Sequence, residues 1–474
     1  MIIGRKREIA ELERLYDSRN AEFVAVYGRR RVGKTFLVND TFGDRITFRH
    51  TGLSPDEMEN GRSGTRAQLR HFYNSLLLQG MQGGHIPHDW LEAFFMLTQF
   101  LISRGSDERQ VVFLDELPWL DTPRSGFITA LEGFWNNWGC TRKNLLLIVC
   151  GSANSWIINR LINNHGGLYN RVTCEIKLMP FTLSECRDFF ISRGVMLSDY
   201  DITQAYMIMG GIPYYLGYFN KGESLAGNID RICFSKGAKL GAEFTRLFSS
   251  VFDNPDLIMA IVRILNGRSM GYERKEIMAK LGRIDNSNFS KAFSALEASH
   301  FVLRYVPFGM KKTQVYYKLI DPFCIFFLRF MENRETLDED FWMMNVTTPS
   351  INTWRGYAFE NVCFNHIPQI KNALGISGVQ TECSEWAGDG TQVDLLIERK
   401  DNVVNMCEIK FYGTEFTVDK NYYCTLNERQ VILSKSLKKR TVIHNTLITT
   451  FGLKYNTYSG VFSNTLTLDD LFRE

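Results

Sequence analysis

The sequence predicts an α/β protein of several domains, and three apolar runs carry that prediction. The runs cover residues 23–27, 111–114 and 145–150, and each is followed directly by a glycine or an acidic residue. Short apolar runs bounded by turn residues are typical of strands buried on both faces of a parallel sheet. The 474 residues exceed what one hydrophobic core usually supports, so further domains are expected.

Composition sets broad limits on the class of protein. The chain is 45% hydrophobic and 23% charged, which is ordinary for a globular protein. Its net charge of +3 neither requires nor excludes a nucleic-acid partner. The ten cysteines form no C-x-x-C pair, and no signal peptide or spanning apolar segment is visible. We therefore expect a cytoplasmic protein without a membrane partner.

The run at 23–27 leads directly into GRRRVGKT, residues 28–35, which has the pattern of a P-loop. Two glycines allow a sharp turn, so that backbone N–H groups can converge on phosphates. Lys34 is expected to reach the β and γ phosphates of ATP, and Thr35 to ligate Mg²⁺. The predicted nucleotide-binding residues of this stretch are Gly28, Arg29, Arg30, Arg31, Val32, Gly33, Lys34, Thr35 and Phe36. The alternative is a glycine loop that contains a lysine by chance.

The other two runs end in polar residues that suit the same site. Asp115 is expected to hold Mg²⁺ through water, and Glu116 to orient the attacking water during hydrolysis. Ser152 is a candidate sensor of the γ-phosphate, although a serine after a glycine is also ordinary turn chemistry. Arg171 is a candidate arginine finger, with a structural ion pair as the alternative.

The region between the first two runs predicts helices at residues 66–79 and 90–104. Its histidines, His71, His85 and His88, do not have a convincing metal-ligand spacing. We expect them to serve in packing or at the surface.

The motifs IIGR, GRRRVGKT, FLDE, CGS and GGIPYY, spread over residues 1–219, together resemble the archaeal-type ATPase family. That family is a branch of the STAND NTPases within the AAA+ group. The resemblance implies a nucleotide-driven switch that closes on ATP and relaxes after slow hydrolysis. It also implies that Pro213 packs near the adenine and that the surrounding helices form a lid.

A winged helix is predicted next, from helices at 257–265, 274–281 and 286–298 and an alternating stretch at 301–319. Lys291 is the one clear cation of the third helix, while Lys311 and Lys312 in the wing suit phosphate contact. Two interpretations stay open, namely DNA contact and an intramolecular regulatory domain.

The last third of the chain carries a second group of charged residues. A helix is predicted to begin at Gly356 and to include Glu360, and strands are predicted around Asp394 and around Glu408 and Lys410. Alternate strand residues share a face, so these carboxylates and the ammonium are expected to converge and to hold one or two Mg²⁺ ions. The alternative is a salt-bridged sheet face.

Glu360, Asp394, Glu408 and Lys410 together resemble the PD-(D/E)XK nuclease fold, although Val393 stands where the motif name suggests proline. The resemblance implies that Asp394 and Glu408 are metal ligands, that Glu360 supports the metal, and that Lys410 steadies the nucleophile or the leaving charge. Glu408 and Lys410 are thus candidate catalytic residues, beside Lys34 and Glu116 in the ATPase.

The predicted organisation is an α/β P-loop NTPase core with a parallel sheet, a helical lid, a winged helix and a restriction-endonuclease-like α/β domain. The expected boundaries are 1–180, 181–250, 251–335 and 336–474. The expected function is an ATP-hydrolysing STAND-type switch coupled to metal-dependent DNA processing. Alternatives are an ATP-regulated scaffold, which would act on a protein partner or a homo-oligomer, and a winged-helix DNA-binding regulator that does not cleave.

Overall fold

The computed structural model describes residues 2–54, 64–105, 108–163, 166–252, 254–282, 287–333, 339–388 and 390–473. The chain forms two compact units, Met1–Met179 and Pro180–Glu474. The boundary between them lies next to the expected end of the ATPase core at residue 180. The further boundaries expected at 250 and 335 fall inside the second unit, and they stay predictions.

The first unit alternates helices and strands. In chain order these are α1 (Lys6–Asp17), β1 (Glu22–Tyr27), α2 (Lys34–Phe42), β2 (Ile46–Thr51), α3 (Gly64–Leu78), α4 (Trp90–Ser103), β3 (Gln110–Asp115), α5 (Leu117–Leu120), α6 (Phe127–Asn137), β4 (Leu145–Gly151), α7 (Asn154–Ile157) and β5 (Cys174–Lys177). The helices predicted at 66–79 and 90–104 correspond to α3 and α4, with ends shifted by one or two residues.

The five strands form one parallel sheet in the order β2-β3-β4-β1-β5, so the predicted α/β class with a parallel sheet is confirmed. Every residue of β1, β3 and β4 is buried, which is why these strands appear in the sequence as continuous apolar runs. β4 lies between β1 and β3. The residues that follow these three strands are therefore neighbours at one edge of the sheet.

The second unit begins with helices and ends with a second large sheet. Its elements are α8 (Leu183–Ser192), α9 (Asp199–Met209), α10 (Pro213–Leu216), α11 (Leu225–Ile229), α12 (Glu243–Ser249), α13 (Pro255–Leu265), β6 (Tyr272–Glu273), α14 (Arg274–Leu281), α15 (Ser287–Ala298), β7 (Val302–Tyr305), β8 (Tyr316–Leu319), α16 (Pro322–Phe330), α17 (Phe341–Asn345), α18 (Pro349–Asn365), α19 (Ile367–Ala373), β9 (Thr381–Gly388), β10 (Thr391–Arg399), β11 (Val403–Lys410), α20 (Lys420–Lys435), β12 (Val442–Thr449), β13 (Asn464–Leu466) and α21 (Leu468–Leu471).

A small antiparallel sheet, in the order β6-β8-β7, accompanies the three helices predicted in this part of the chain. Helix α14 matches its predicted bounds, and α13 starts two residues earlier than predicted. Helix α15 starts at Ser287, whereas Asn286, the predicted first residue, lies outside the described residues.

The C-terminal sheet is mixed and has the order β13-β12-β11-β10-β9. Strands β9, β10 and β11 are antiparallel neighbours, while β11, β12 and β13 are parallel, and α20 makes the crossover from β11 to β12. One prediction is wrong here, because the helix that carries Glu360 begins at Pro349 and not at Gly356. Proline at a first helical position has a preset φ, so the helix starts a full two turns earlier.

No helix in the described ranges is long and apolar enough to cross a membrane.

Candidate functional site

The loop after β1 has a backbone shape that requires glycine at its first position. A Cβ atom on Gly28 would lie 2.2 Å from the carbonyl oxygen of Leu178. The loop ends at Gly33, whose φ of 93° is in the left-handed region, and α2 begins at the next residue. The helix N-terminus therefore points its free N–H groups toward the loop, as an anion site requires.

Lys34 lies inside this loop and is 5% exposed. Its Nζ donates to the carbonyl oxygens of Gly28 at 3.0 Å and Arg29 at 3.1 Å, and to Ser152 Oγ at 3.1 Å. These three acceptors carry no formal charge. The ammonium is thus positioned by neutral groups and keeps its charge available for an anion.

Thr35 and Asp115, which are predicted to share a metal ion, are in direct contact. Thr35 Oγ1 donates to Asp115 Oδ2 at 2.8 Å, and Asp115 Oδ1 accepts from the Glu116 backbone N–H at 2.9 Å. A hydroxyl and a carboxylate are hard oxygen donors of the kind that Mg²⁺ prefers. The residues present therefore fit a magnesium ion between α2 and the end of β3.

Glu116 connects this pair to Ser152. Its backbone φ is 45°, which is rare for a residue other than glycine and is found often at functional sites. Its carboxylate accepts from the Ser152 hydroxyl at 2.9 Å and from the Ser152 backbone N–H at 3.1 Å. Ser152 thus links the ammonium of Lys34 to the carboxylate of Glu116.

Asn154 belongs to the site, and the sequence analysis missed it. Its side chain is 1% exposed, and Oδ1 accepts from the Gly28 backbone N–H at 2.8 Å. This contact fixes the first residue of the loop from the start of α7. The sequence does indicate a role for Asn154, because it follows the same buried strand as Ser152 and lies only two residues further along the chain.

The other predicted nucleotide-binding residues have different surroundings. Arg29 and Val32 are buried, Arg30 and Arg31 are partly buried, and Phe36 is 53% exposed. Arg171 is exposed. Pro213 begins α10 in the second unit. The proposed roles of Arg171 and Pro213 therefore stay predictions.

In the C-terminal sheet, Lys410 lies between the two predicted metal ligands. Its Nζ is 2.6 Å from Glu408 Oε1 and 3.9 Å from Asp394 Oδ2. Asp394 Oδ2 also accepts from the Ile409 backbone N–H at 3.0 Å. A register shift between Val393 and Leu396 interrupts the pairing of β10 with β9, and such bulges redirect neighbouring side chains.

Arg429 completes this group, and the sequence analysis missed it as well. From α20 its Nη1 forms an ion pair with Glu408 Oε2, and its Nε donates to Thr391 Oγ1 at 3.0 Å. No sequence pattern indicates this contact, because it depends on how the crossover helix packs on the sheet.

The carboxylates of this cluster have unequal proton affinities. Burial raises the pKa of Glu360, and the nearby charge of Asp394 raises it further. Burial and the charge of Glu408 likewise raise the pKa of Asp394. Burial alone would also raise the pKa of Glu408, but Lys410 and Arg429 together hold it below its ordinary value. Glu408 therefore loses its proton first as the pH rises, and Glu360 and Asp394 retain theirs to higher pH.

The small antiparallel sheet is attached to β9 by a buried ion pair between Lys318 and Glu385, whose side chains are 3% and 6% exposed. Tyr305 Oη lies 3.4 Å from Glu385 Oε2, and the Phe308 backbone N–H donates to the Glu385 carbonyl oxygen at 3.2 Å. Lys311 and Lys312 are exposed.

The histidines before α4 lie in two separate places. His85 and His88 lie together with Glu92, which their sequence spacing did not indicate. His71 instead lies beside the buried His50, with ring centroids 5.0 Å apart, as expected for packing.

Comparison with known proteins identifies the N-terminal part of the chain. Residues 2–219 match the family described as "ATPase domain predominantly from Archaea", so this part is an archaeal-type ATPase domain, as its motifs predict. An uncharacterized protein of Methanocaldococcus jannaschii is 23% identical over 421 residues, which are 87% of this chain and 88% of that protein.

Two solved structures are similar to this one. The Walker-type ATPase of Pyrococcus abyssi is 17% identical, with a TM-score of 0.48 over 69% of this chain and 96% of that one. The STAND protein with a tetratricopeptide repeat sensor from Pyrococcus horikoshii is 15% identical, with a TM-score of 0.30 over 80% of this chain and 52% of that one.

Proposed function

We propose that the protein is a STAND-type switch that binds and hydrolyses ATP at the loop after β1. The observation that carries the proposal is the connected set of contacts from Lys34 through Ser152 to Glu116. These contacts join an ammonium that suits the phosphates to a carboxylate that suits the attacking water. They lie at the edge of the sheet where open α/β folds bind ligands.

Each residue then has a defined task. Lys34 exchanges its carbonyl partners for the β and γ phosphates, and Glu116 orients the water for in-line attack. Thr35 and Asp115 would hold Mg²⁺, which neutralises phosphate charge and orients the phosphates when it is bound. Ser152 contacts both Lys34 and Glu116, so an arriving γ-phosphate disturbs one hydrogen-bonded unit. In this proposal, the change in these hydrogen bonds starts the conformational change of the switch.

ATP binding and hydrolysis by the full chain test this proposal. Lys34→Ala should abolish binding, while Glu116→Gln should keep binding and lower the hydrolysis rate by about a hundredfold or more. Lys143→Ala is the matched control, because Lys143 is an exposed lysine that precedes β4 at the opposite edge of the sheet. Hydrolysis by Lys34→Ala at the wild-type rate would contradict the proposal.

A second candidate function is metal-dependent DNA processing by residues 336–474, with residues 181–250 as the lid and 251–335 as a winged helix. The cluster of Asp394, Glu408 and Lys410 favours it, together with the mixed sheet and its crossover helix. Asp394 and Glu408 would hold Mg²⁺, with support from Glu360. Such an ion polarises a phosphodiester and activates water when it is bound. Lys410 would leave its place between the carboxylates and steady the developing charge.

The attachment of the small sheet to β9 affects how this function would be controlled. Lys318 and Glu385 join the module proposed as a winged helix to the sheet that carries Asp394. Movement of that module with the nucleotide state would therefore act directly on the carboxylate cluster. The exposed Lys311 and Lys312 suit contact with DNA phosphates.

Cleavage of labelled linear, nicked and branched DNA with Mg²⁺ or Mn²⁺, with and without ATP, tests the second function. Cutting should be lost in Lys410→Ala and should not respond to ATP in Lys34→Ala. Lys400→Ala is the control and should still cut, because Lys400 is an exposed lysine of the same sheet region. No cutting of any substrate by a protein that still hydrolyses ATP would favour the scaffold, in which the C-terminal domain only binds a partner.

A further inference from the structure

We propose that His85, His88 and Glu92 form a binding site for a divalent transition-metal ion, with zinc as the expected occupant. The site lies in the first unit and belongs to neither group of residues described above. In the described ranges this is the one group of three histidine, cysteine or acidic side chains whose ligand atoms all lie within 4.8 Å of one another.

The three side chains are already in contact. His85 Nε2 is 2.9 Å from Glu92 Oε1, and His88 Nδ1 is 2.7 Å from Glu92 Oε2. Donor atoms on a tetrahedral zinc ion lie about 3.3 Å from one another, because each is about 2.0 Å from the metal. All three ligand atoms lie within 4.8 Å of one another, so a change of at most about 1.5 Å in any of these distances brings them to the spacing of a three-ligand site.

The backbone around the site is held in place. Trp90, the first residue of α4, is 1% exposed and anchors the helix start in the core. Asp89 caps the helix by accepting from the Glu92 backbone N–H at 2.9 Å, and Glu92 accepts from the His88 backbone N–H at 2.6 Å. The Glu92 carboxylate thus has a fixed position between the two imidazoles.

The ligand chemistry selects the metal. Imidazole nitrogen binds zinc, nickel and copper far better than magnesium or calcium, which prefer oxygen ligands. The Glu92 carboxylate accepts from the His88 backbone N–H and lies within hydrogen-bond distance of both imidazoles, so it supplies the charged oxygen ligand of the site. That charge also offsets the positive end of the α4 dipole, which by itself disfavours a cation.

The open side of the site explains how an ion would enter. The side chains of His85 and His88 are 61% and 81% exposed. Two imidazoles and one carboxylate leave the fourth position of a tetrahedral ion to water. The bound ion would then fix the segment that joins α3 to α4.

The test uses full-length protein without a polyhistidine tag and without nucleotide, titrated with Co²⁺ and then Zn²⁺. Wild-type protein should bind one Co²⁺ with the strong visible absorption of a nitrogen-containing four-coordinate site, and Zn²⁺ should displace it. His85→Ala and His88→Ala should each bind at least about tenfold more weakly, since each removes a ligand.

Two controls separate this site from others. His444→Ala removes a histidine of the second unit, so this variant should keep the Co²⁺ spectrum. The His85→Gln/His88→Gln double variant keeps hydrogen-bonding side chains next to Glu92, and its melting temperature without metal should equal that of the wild type. Absence of Co²⁺ and Zn²⁺ binding by the wild type, or equal binding by this double variant, would overturn the proposal.

Discussion

Two lysines, Lys34 and Lys410, lie near carboxylates in the two units of this protein, and their partners differ in charge. Lys34 is held by two backbone carbonyls and a serine hydroxyl, and none of these three partners carries a negative charge. Lys410 contacts Glu408 at 2.6 Å, and Arg429 pairs with the other oxygen of the same carboxylate. The first arrangement is prepared for an added anion. The second is already neutralised, so a metal ion must displace an ammonium before it binds.

Removal of the Glu408 carboxylate should have the largest effect on stability. Glu408→Ala leaves Lys410 and Arg429 without their shared anion, and Arg429 and Glu408 are only 14% and 7% exposed. Loss of one partner of a buried ion pair costs about 3–5 kcal/mol, so the free energy of unfolding of the second unit should fall by that order. Urea titration followed by hydrogen exchange in β11 measures it.

Glu408→Gln is the matched variant, because it keeps the size and one hydrogen-bond acceptor but loses the charge. Its destabilisation should be smaller than that of Glu408→Ala. A loss below about 1 kcal/mol in Glu408→Ala would indicate that the ion pair behaves like an exposed one.

The loop around Lys34 should be sensitive to substitutions that change its backbone conformation. Gly28→Ala places a methyl group 2.2 Å from the Leu178 carbonyl oxygen, so the loop must shift and the first unit should lose about 1–3 kcal/mol of stability. ATP affinity should fall as well, because the carbonyl oxygens that position Lys34 move. Thermal unfolding and nucleotide titration check both effects.

Gly43→Ala provides the control for backbone conformation alone. Gly43 has a φ of 48°, but nothing lies within 4 Å of an added Cβ atom. Its substitution should cost less than Gly28→Ala and leave ATP affinity unchanged. Equal effects of the two variants would show that the contact with Leu178 is unimportant.

The remaining expected effect is a pH dependence of the second unit. The folded-state pKa of Glu360 is raised, so the folded protein binds its proton more tightly than the unfolded chain does. The contribution of Glu360 to stability is therefore present at low pH and is lost as the pH rises from about 4 through the raised value. Glu360→Gln should remove this loss and make the second unit more stable than the wild type at pH 8.

Unfolding at several pH values measures this difference between Glu360→Gln and the wild type. Gln392→Ala, which changes an exposed side chain on β10, should keep the wild-type slope. A slope that is the same in Glu360→Gln and wild type would mean that Glu360 ionises normally in the folded state.

Sequence reasoning worked best for features that depend on neighbouring residues. The strands around Val24, Val112 and Leu147 were predictable because full burial on both faces demands continuous apolar runs. The start of α18 was not predicted, since Pro349 as a helix-starting residue was overlooked. The grouping of His85 and His88 with Glu92 was also missed, because it depends on the turn that precedes α4.

By itself the sequence determined the parallel α/β core and the loop from Gly28 to Thr35, because glycine placement and apolar runs are local requirements of the backbone. Only the tertiary structure decided which polar groups meet. Strand order places Ser152 between Lys34 and Glu116, and the packing of the crossover helix brings Arg429 to Glu408. Such contacts join residues far apart in the chain. Their geometry follows from strand order, register and helix packing, which one sequence does not encode in any local pattern.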